Sequence, residues 1–407
     1  MRQTNLLLLA FAVLFSVQLA KNLYSDTKID THQLIQSYGY PIQVHEIVTE
    51  DGYILQTFRI PYGKRTNTSK PRHPVLLVPG MGCTSIVYLA MGPDRGSIGF
   101  MLADEGFDVW LANCRGTKWS KKHKTLDPVR DKKLFFDFSF QEVGLYDITA
   151  NIDYILNATN FKQLFYIGIS QGTTDFFLMA AAKPEYNEKV TLAIALAPVA
   201  YCSNVQHPLT SFIKRRFKQV KATADNMGVY EILSESSVSS LFVRAYVDIF
   251  CKEYSSIKFI CTTPVYLMGE FDYNYNKSAV PVIFSEMPST ISMKTVYHYT
   301  QMALSGQFEM YDDGITGNLR KYGQTTTPQL NISKITTPVA LYCGPNDRFS
   351  TRADVELLAL ELPNLVKKVY VGDYGHVDFA IARNAASMVY DDIIETMKNC
   401  SNKTAIS

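Results

Sequence analysis

Two kinds of hydrophobic pattern alternate along this chain. Near its start, Gln43–Thr49 and Tyr53–Ile60 place apolar residues at every second position. Glu50-Asp51-Gly52 lies between them, so the pair predicts a hairpin with an Asp-Gly turn. Further on come short unbroken apolar runs: Pro74–Val78, Phe107–Ala112, the stretch from Leu164 into Gly168, Val190–Leu196, Pro338–Tyr342 and Lys368–Val371. Runs of this length and composition are expected of parallel strands buried on both faces. Helical periodicity separates them. It appears in Ser97–Leu102 with a stop at Gly106, in Phe140–Leu156, in Phe176–Ala182, in Arg352–Leu360 and in Asn384–Lys398. A further short helix is expected over Thr31–Tyr38. Strand and helix in alternation predict an α/β fold, with a doubly wound, mainly parallel sheet and helices on both faces.

The rhythm stops after Ala197-Pro198 and returns at Pro338. From about residue 201 to 329 the only patterns are helical patches, among them Phe212–Lys218 and Ser285–Ser305. An insertion of that size between two sheet strands is expected to form a large, mostly helical cap. The domain plan is therefore a core over 21–200 and 330–400, a cap or lid over 201–329, and a tail over 401–407.

The first twenty residues differ in kind from the rest. Arg2 precedes an apolar run through Leu6–Phe15, and Ala20 then meets the polar Lys21-Asn22, which predicts a secretory signal cut near Ala20. No later stretch approaches membrane-spanning length, so the mature chain is expected to lack a transmembrane segment and to be secreted or lysosomal. Six Asn-x-Ser/Thr sites agree with that route: Asn67, Asn157, Asn276, Asn331, Asn399 and Asn402. Of seven cysteines, the pair closest in sequence, Cys251 and Cys261, is the best disulfide candidate, and the odd count leaves at least one thiol unpaired in a monomer. No Cys-x-x-Cys pair or His/Cys cluster suggests a metal. The 407 residues are 47% hydrophobic and 19% charged with a net charge of +2, a balance that gives no reason to expect a nucleic-acid partner.

The chemistry gathers where one apolar run turns into a helix. Gly168-Ile169-Ser170-Gln171-Gly172 is a G-x-S-x-G with a strand before it and a helix after it, the setting of a nucleophile elbow. Ser170 should then occupy a strained turn at a helix N-terminus, where the helix dipole favours a developing oxyanion. A serine nucleophile needs a base, and the base needs an orienting carboxylate. Three histidines follow Ser170, and His207 and His298 both fall in the expected cap. His376 lies in the loop after the last strand, where ligands meet a parallel sheet. The loop after the preceding strand, Cys343-Gly-Pro-Asn-Asp347, has Asp347 as its only acidic residue. Asp373 and Asp378 are nearer to His376 in sequence, but Asp347 is preferred as the acid. The oxyanion donors are expected to be the backbone N–H groups of Gln171 and of Met81, in the loop after the first central strand. The Met81 side chain can pack in the core at the same time, because only its backbone would act.

These motifs resemble the acid lipase family, that of gastric and lysosomal acid lipases and their insect relatives. The likeness spans about residues 29–398. It rests on Gly168–Thr174, on Asp108–Gly116, on Ala195-Leu-Ala-Pro-Val-Ala200, on Gly344-x-x-Asp347 and on His376-x-Asp-Phe379. The resemblance implies an α/β-hydrolase fold, a triad of Ser170, Asp347 and His376, and oxyanion amides at Met81 and Gln171. It also implies a cap over 201–329 with a Cys251–Cys261 disulfide. The family acts on neutral lipids, triacylglycerols or sterol esters, without a metal or organic cofactor. Two departures flank the oxyanion hole: Pro79-Gly80-Met81 stands where the family has His-Gly-Leu, and Ile169 stands where it has His. They keep in play a non-catalytic lipid carrier or storage protein on a lipase scaffold, and the same triad would also serve an esterase for small soluble esters or a peptidase.

Overall fold

The computed structural model describes residues 29–64, 71–233 and 279–404. The expected hairpin is present as β1 (Gln43–Val48) and β2 (Tyr53–Ile60), paired antiparallel with Val48 opposite Ile54. The continuous apolar runs form β3 (Pro74–Val78), β4 (Asp108–Leu111), β6 (Leu164–Ile169), β7 (Val190–Leu196), β10 (Val339–Cys343) and β11 (Leu365–Tyr370). These six lie parallel in the order β4-β3-β6-β7-β10-β11, and β2 adds to β4 antiparallel at one side. A short β5 (Lys122–His123), which no periodicity announced, pairs with β2 from within the basic loop.

The sheet order explains why the central runs carry no polar alternation. In β3, Val75 and Leu77 join one apolar cluster while Leu76 and Val78 join a second. In β6, Phe165, Ile167 and Ile169 face the first cluster, and Leu164 and Tyr166 face the second. Successive side chains of a strand point to opposite faces, and here helices cover both. Each fully buried large side chain is worth roughly 1.5–3 kcal/mol of transfer free energy. The helix Ile98–Asp104 packs Ile98, Phe100 and Leu102 into the first cluster, and Gln171–Ala182 packs Phe176–Ala180 into the second.

The chain steps from β3 out to β4 and then returns to place β6 on the other side of β3. Such a reversal leaves a crevice beyond the carboxyl ends of the strands, where open α/β sheets bind their ligands. The described part of the 201–329 region follows β7 with the helices Pro208–Arg215 and Phe217–Asn226. It continues with Ala279–Phe284, Met293–Ser305 and Gly314–Tyr322. It also holds a two-stranded pair, β8 (Glu231–Ile232) with β9 (Ile291–Ser292). The helix expected over Ser285–Ser305 begins only at Met293, because Ser292 accepts the Lys294 N–H as its N-cap and the chain before it is extended. No helix among the described residues is long and apolar enough to cross a membrane. Cys251, Cys261, Asn67 and Asn276, with the first twenty residues, lie outside the described residues.

Candidate active site

Ser170 sits between β6 and the helix Gln171–Ala182 with φ 54° and ψ −118°, a backbone conformation disfavoured for any residue with a Cβ. The two flanking glycines make the turn possible. A methyl group at Gly172 would stand 2.2 Å from the Val78 carbonyl oxygen, and one at Gly168 would stand 2.6 Å from the Gly172 carbonyl carbon. The turn is fixed from below by the Ser170 N–H, which donates to Leu196 O at 2.9 Å. It is fixed from the helix side by the Thr173 hydroxyl, which donates to Ser170 O at 2.6 Å.

Three loops at the carboxyl ends of β6, β10 and β11 bring the reacting groups together. His376 Nε2 lies 2.7 Å from Ser170 Oγ, and His376 Nδ1 lies 2.7 Å from Asp347 Oδ2. The other carboxylate oxygen of Asp347 accepts the backbone N–H groups of Phe349 and Ser350, both at 2.8 Å. With Asp347 wholly buried, its lone pairs committed to these donors and the imidazole, the ring is held with Nε2 toward the serine. The loops are also tied to each other, since Asn346 N–H donates to Tyr374 O and Asn346 Nδ2 to Asp373 O. Of the two rival acids, Asp373 is exposed. Asp378 accepts the Gly375 N–H at 2.7 Å and so braces the histidine loop instead of the ring.

The other two late histidines are placed elsewhere. His298 is fully buried, contacts the Ser139 hydroxyl through Nδ1 and the Glu309 carbonyl through Nε2, and stacks on Phe140. His207 stacks on Phe349, whose ring also lies 5.1 Å from that of His376 between centroids. Four of the described cysteines are poor rivals as nucleophile. Burial pushes the thiols of Cys83, Cys202 and Cys343 up to about 12 and that of Cys114 well above its ordinary value.

Across from Ser170 the loop after β3 makes a tight turn. Cys83 N–H closes onto Gly80 O at 3.1 Å, and Gly82 has φ +67°. A methyl group at Gly80 would stand 3.1 Å from Ser170 Cβ, so this turn lies directly against the serine. The Met81 N–H sits at the head of the turn, and Gln171 is the first residue of its helix, where N–H groups lack intrahelical acceptors. The Met81 side chain is 41% exposed, which removes core packing as its role.

Known proteins share this chain's fold and about a third of its sequence. Residues 73–381 match the family model described as the alpha/beta hydrolase fold, and residues 31–92 match the one described as a partial alpha/beta-hydrolase lipase region. Lipase 1 of Drosophila melanogaster is 33% identical over 93% of this chain and 81% of its own length. Gastric triacylglycerol lipase of Bos taurus is 33% identical over 95% of both chains, and that of Homo sapiens is 34% identical over 91% of both. The chain belongs to the acid lipase family.

As an acid lipase, the protein is a carboxylic ester hydrolase with the α/β-hydrolase fold. The fold likeness extends to solved structures of low identity. A thermophilic esterase from Thermogutta terrifontis superposes with a TM-score of 0.50 at 14% identity, covering 88% of this chain and 99% of its own. An esterase from Exiguobacterium antarcticum gives 0.50 at 12% identity, over 88% and 100%. The two departures from the lipase pattern are both accommodated as buried side chains, Ile169 in the first apolar cluster and Pro79 beneath the turn. What the sequence reading of this lipase missed is Glu286, whose carboxylate collects donors from three other segments beside the Gly80–Cys83 turn. Nothing in its local sequence marks it, because every one of those donors is more than 160 residues away.

Proposed function

We propose that the protein is a secreted or lysosomal lipase that hydrolyses esters of neutral lipids, triacylglycerols or sterol esters, through an acyl-enzyme on Ser170. One observation carries this reading: the unbroken chain Ser170–His376–Asp347, with both contacts at 2.7 Å, beside the Gly80–Cys83 turn. Ser170 Oγ attacks the ester carbonyl as His376 Nε2 takes its proton. The imidazolium is stabilised by Asp347 through Nδ1–H, and the oxyanion is received by the N–H groups of Gln171 and Met81. His376 then protonates the leaving alcohol, and a water activated by the same nitrogen releases the fatty acid. No step calls for a metal or an organic cofactor.

The names of the Bos taurus and Homo sapiens relatives, gastric triacylglycerol lipases, support a long-chain substrate met at a lipid–water interface. We assign the core to 21–200 and 330–400, the cap to 201–329 and the tail to 401–407, with a Cys251–Cys261 disulfide inside the cap. Entry into the secretory route is supported by the signal-like start and by the exposure of Asn157, Asn331 and Asn399.

The test is hydrolysis of a long-chain triacylglycerol emulsion and of a short soluble ester, at acid and neutral pH, by wild type and Ser170→Ala. Long-chain hydrolysis abolished in the mutant is the expected result. Turnover of the short ester alone would demote the protein to a plain esterase, and absence of Ser170-dependent turnover of both would make it a carrier.

A further inference from the structure

Glu286 is a buried carboxylate whose side chain has no solvent exposure. Its Oε1 accepts the Thr31 N–H at 2.8 Å and Lys118 Nζ at 3.3 Å. Its Oε2 accepts the Thr84 hydroxyl at 2.6 Å, the Thr31 hydroxyl at 2.8 Å and the Trp119 indole N–H at 2.9 Å. A buried charge is tolerated only when donors saturate it, and removing it leaves those donors stranded. Three segments converge here on a stretch inside the 201–329 insertion, between the helices Ala279–Phe284 and Met293–Ser305. They are the first helix (Thr31–Ser37), the loop after β3 and the loop after β4.

The position of this knot gives it a further role. Thr84 is the second residue beyond Gly82, in the same loop that presents Met81 to Ser170. Three residues after Glu286, the Ser289 N–H donates to Gly82 O at 2.7 Å, and the Ser289 hydroxyl accepts the Lys118 N–H at 2.9 Å. A methyl group at Gly82 would stand 2.8 Å from Ile291 Cδ1, so the back of the turn rests on the same segment. The far end of the loop is hydrogen-bonded to the core, where Ser85 N–H donates to Asn113 Oδ1 and the Tyr88 hydroxyl to Val78 O. At Gly82 and Thr84, the turn is met from the insertion by Ser289, Ile291 and Glu286.

We infer that Glu286 is a positioning residue for the oxyanion turn: through Thr84, and through the Ser289–Gly82 bond it keeps in register, it aims the Met81 N–H at the reacting carbonyl. The inference rests on the Ser170 acyl-enzyme reading above. Its consequence is that the second oxyanion donor is set by a segment belonging to the insertion, so seating that segment and completing the hole are one event.

Full-length Glu286→Gln and Thr84→Val test it on a short soluble ester, with active sites titrated by a fluorophosphonate and folding followed by circular dichroism. The probe of the hole is an alkyl boronic acid, whose tetrahedral adduct on Ser170 presents an oxygen to Met81 and Gln171. Loss of one oxyanion donor lowers kcat by about 10²–10³, so a misaimed donor is expected to lower kcat per titrated site by roughly 10–100-fold. KM should stay within about twofold, and boronate affinity should fall by the same factor as kcat. Should Glu286→Gln fail to fold, Thr84→Val, which removes one hydroxyl and keeps the shape, carries the same expectation. Folded variants with wild-type kcat per site and wild-type boronate affinity overturn the inference. So does a loss confined to the titre of active sites, the mark of a merely structural carboxylate. Turnover that survives Ser170→Ala overturns the underlying reading of the site, and this inference with it.

Discussion

Asp347 Oδ2 stands 2.7 Å from His376 Nδ1 while its second oxygen is held by two consecutive backbone N–H groups, so the carboxylate cannot rotate without breaking three contacts. Asp347 is thus fixed by its own loop as well as by the imidazole. Asp347→Asn should fold, since an amide oxygen still accepts from Phe349 and Ser350. Its amide N–H₂ would face Nδ1 and favour the wrong tautomer, so kcat should fall by about 10³–10⁴, as in the serine-protease precedent. Stopped assays with active-site titration would measure it, and a loss under tenfold would mean that the acid is another residue.

Gly172 and Val78 mark where helix and sheet touch. With a methyl group only 2.2 Å from the Val78 carbonyl oxygen, Gly172→Ala must push the helix away from β3. Overpacking of this kind typically lowers stability by about 1–3 kcal/mol, and here it also displaces the Gln171 N–H. A lower melting temperature, together with slower fluorophosphonate labelling of Ser170, is the expected pair of results.

Arg115 is wholly buried and donates to Asp147 at 2.6–2.8 Å and to Asp51 at 2.5–2.9 Å, with its guanidinium 4.0 Å over the Tyr53 ring. Burial alone would lower its basicity, but the two carboxylates raise it. Arg115→Met strands a buried Asp147, and breaking such a pair is worth about 3–5 kcal/mol. Urea unfolding should show that loss. The double variant with Asp147→Asn should recover part of it, since the stranded charge is then gone.

His298 carries a signature in pH. Burial lowers it to about 3 against the opposing pull of the Glu309 carbonyl, so the folded protein keeps this ring neutral while the unfolded chain protonates it near 6.5. Because the folded value is depressed, the unfolded state binds the extra proton first, and stability falls as pH drops from 6.5 toward 3. His298→Gln preserves one donor and one acceptor but cannot titrate. Between pH 6 and 3.5 its stability should decline less steeply than that of wild type, by about 1.4 kcal/mol per pH unit. Parallel denaturation curves across that range check it, and identical slopes would sink the assignment of a neutral ring.

The sheet and the grouping of Ser170, His376 and Asp347 were legible because each rests on a local pattern. Unbroken runs such as Pro74–Val78 announce strands buried on both faces, and the helix after Ser170 gives G-x-S-x-G its meaning. Asp347 was legible because its loop holds no other acid. The expected terminal helix from Asn384 proved to be an α-helix over Asp391–Thr404 preceded by a wider π-type turn over Ala386–Tyr390. Periodicity does not separate those two forms. Lys122–His123 pairs with β2 although its polar residues show no alternation, because a neighbouring edge supplied the partner. Glu286 was illegible for the same kind of reason: its meaning lies in Thr31, Thr84, Lys118 and Trp119, brought to it only by the finished fold.

The 206 residues that separate Ser170 from His376 also order events in the life of the chain. A ribosome adding about 5–20 residues per second takes roughly 10–40 s to go from the nucleophile to its base. During that interval Ser170 lacks the imidazole proposed to activate it. Any product of premature termination or proteolysis that lacks the last strand's loop is equally inert. With the proposed triad, a cell making this protein handles an enzyme that cannot attack lipid until almost the whole polypeptide has been delivered, which is a form of containment that needs no inhibitor.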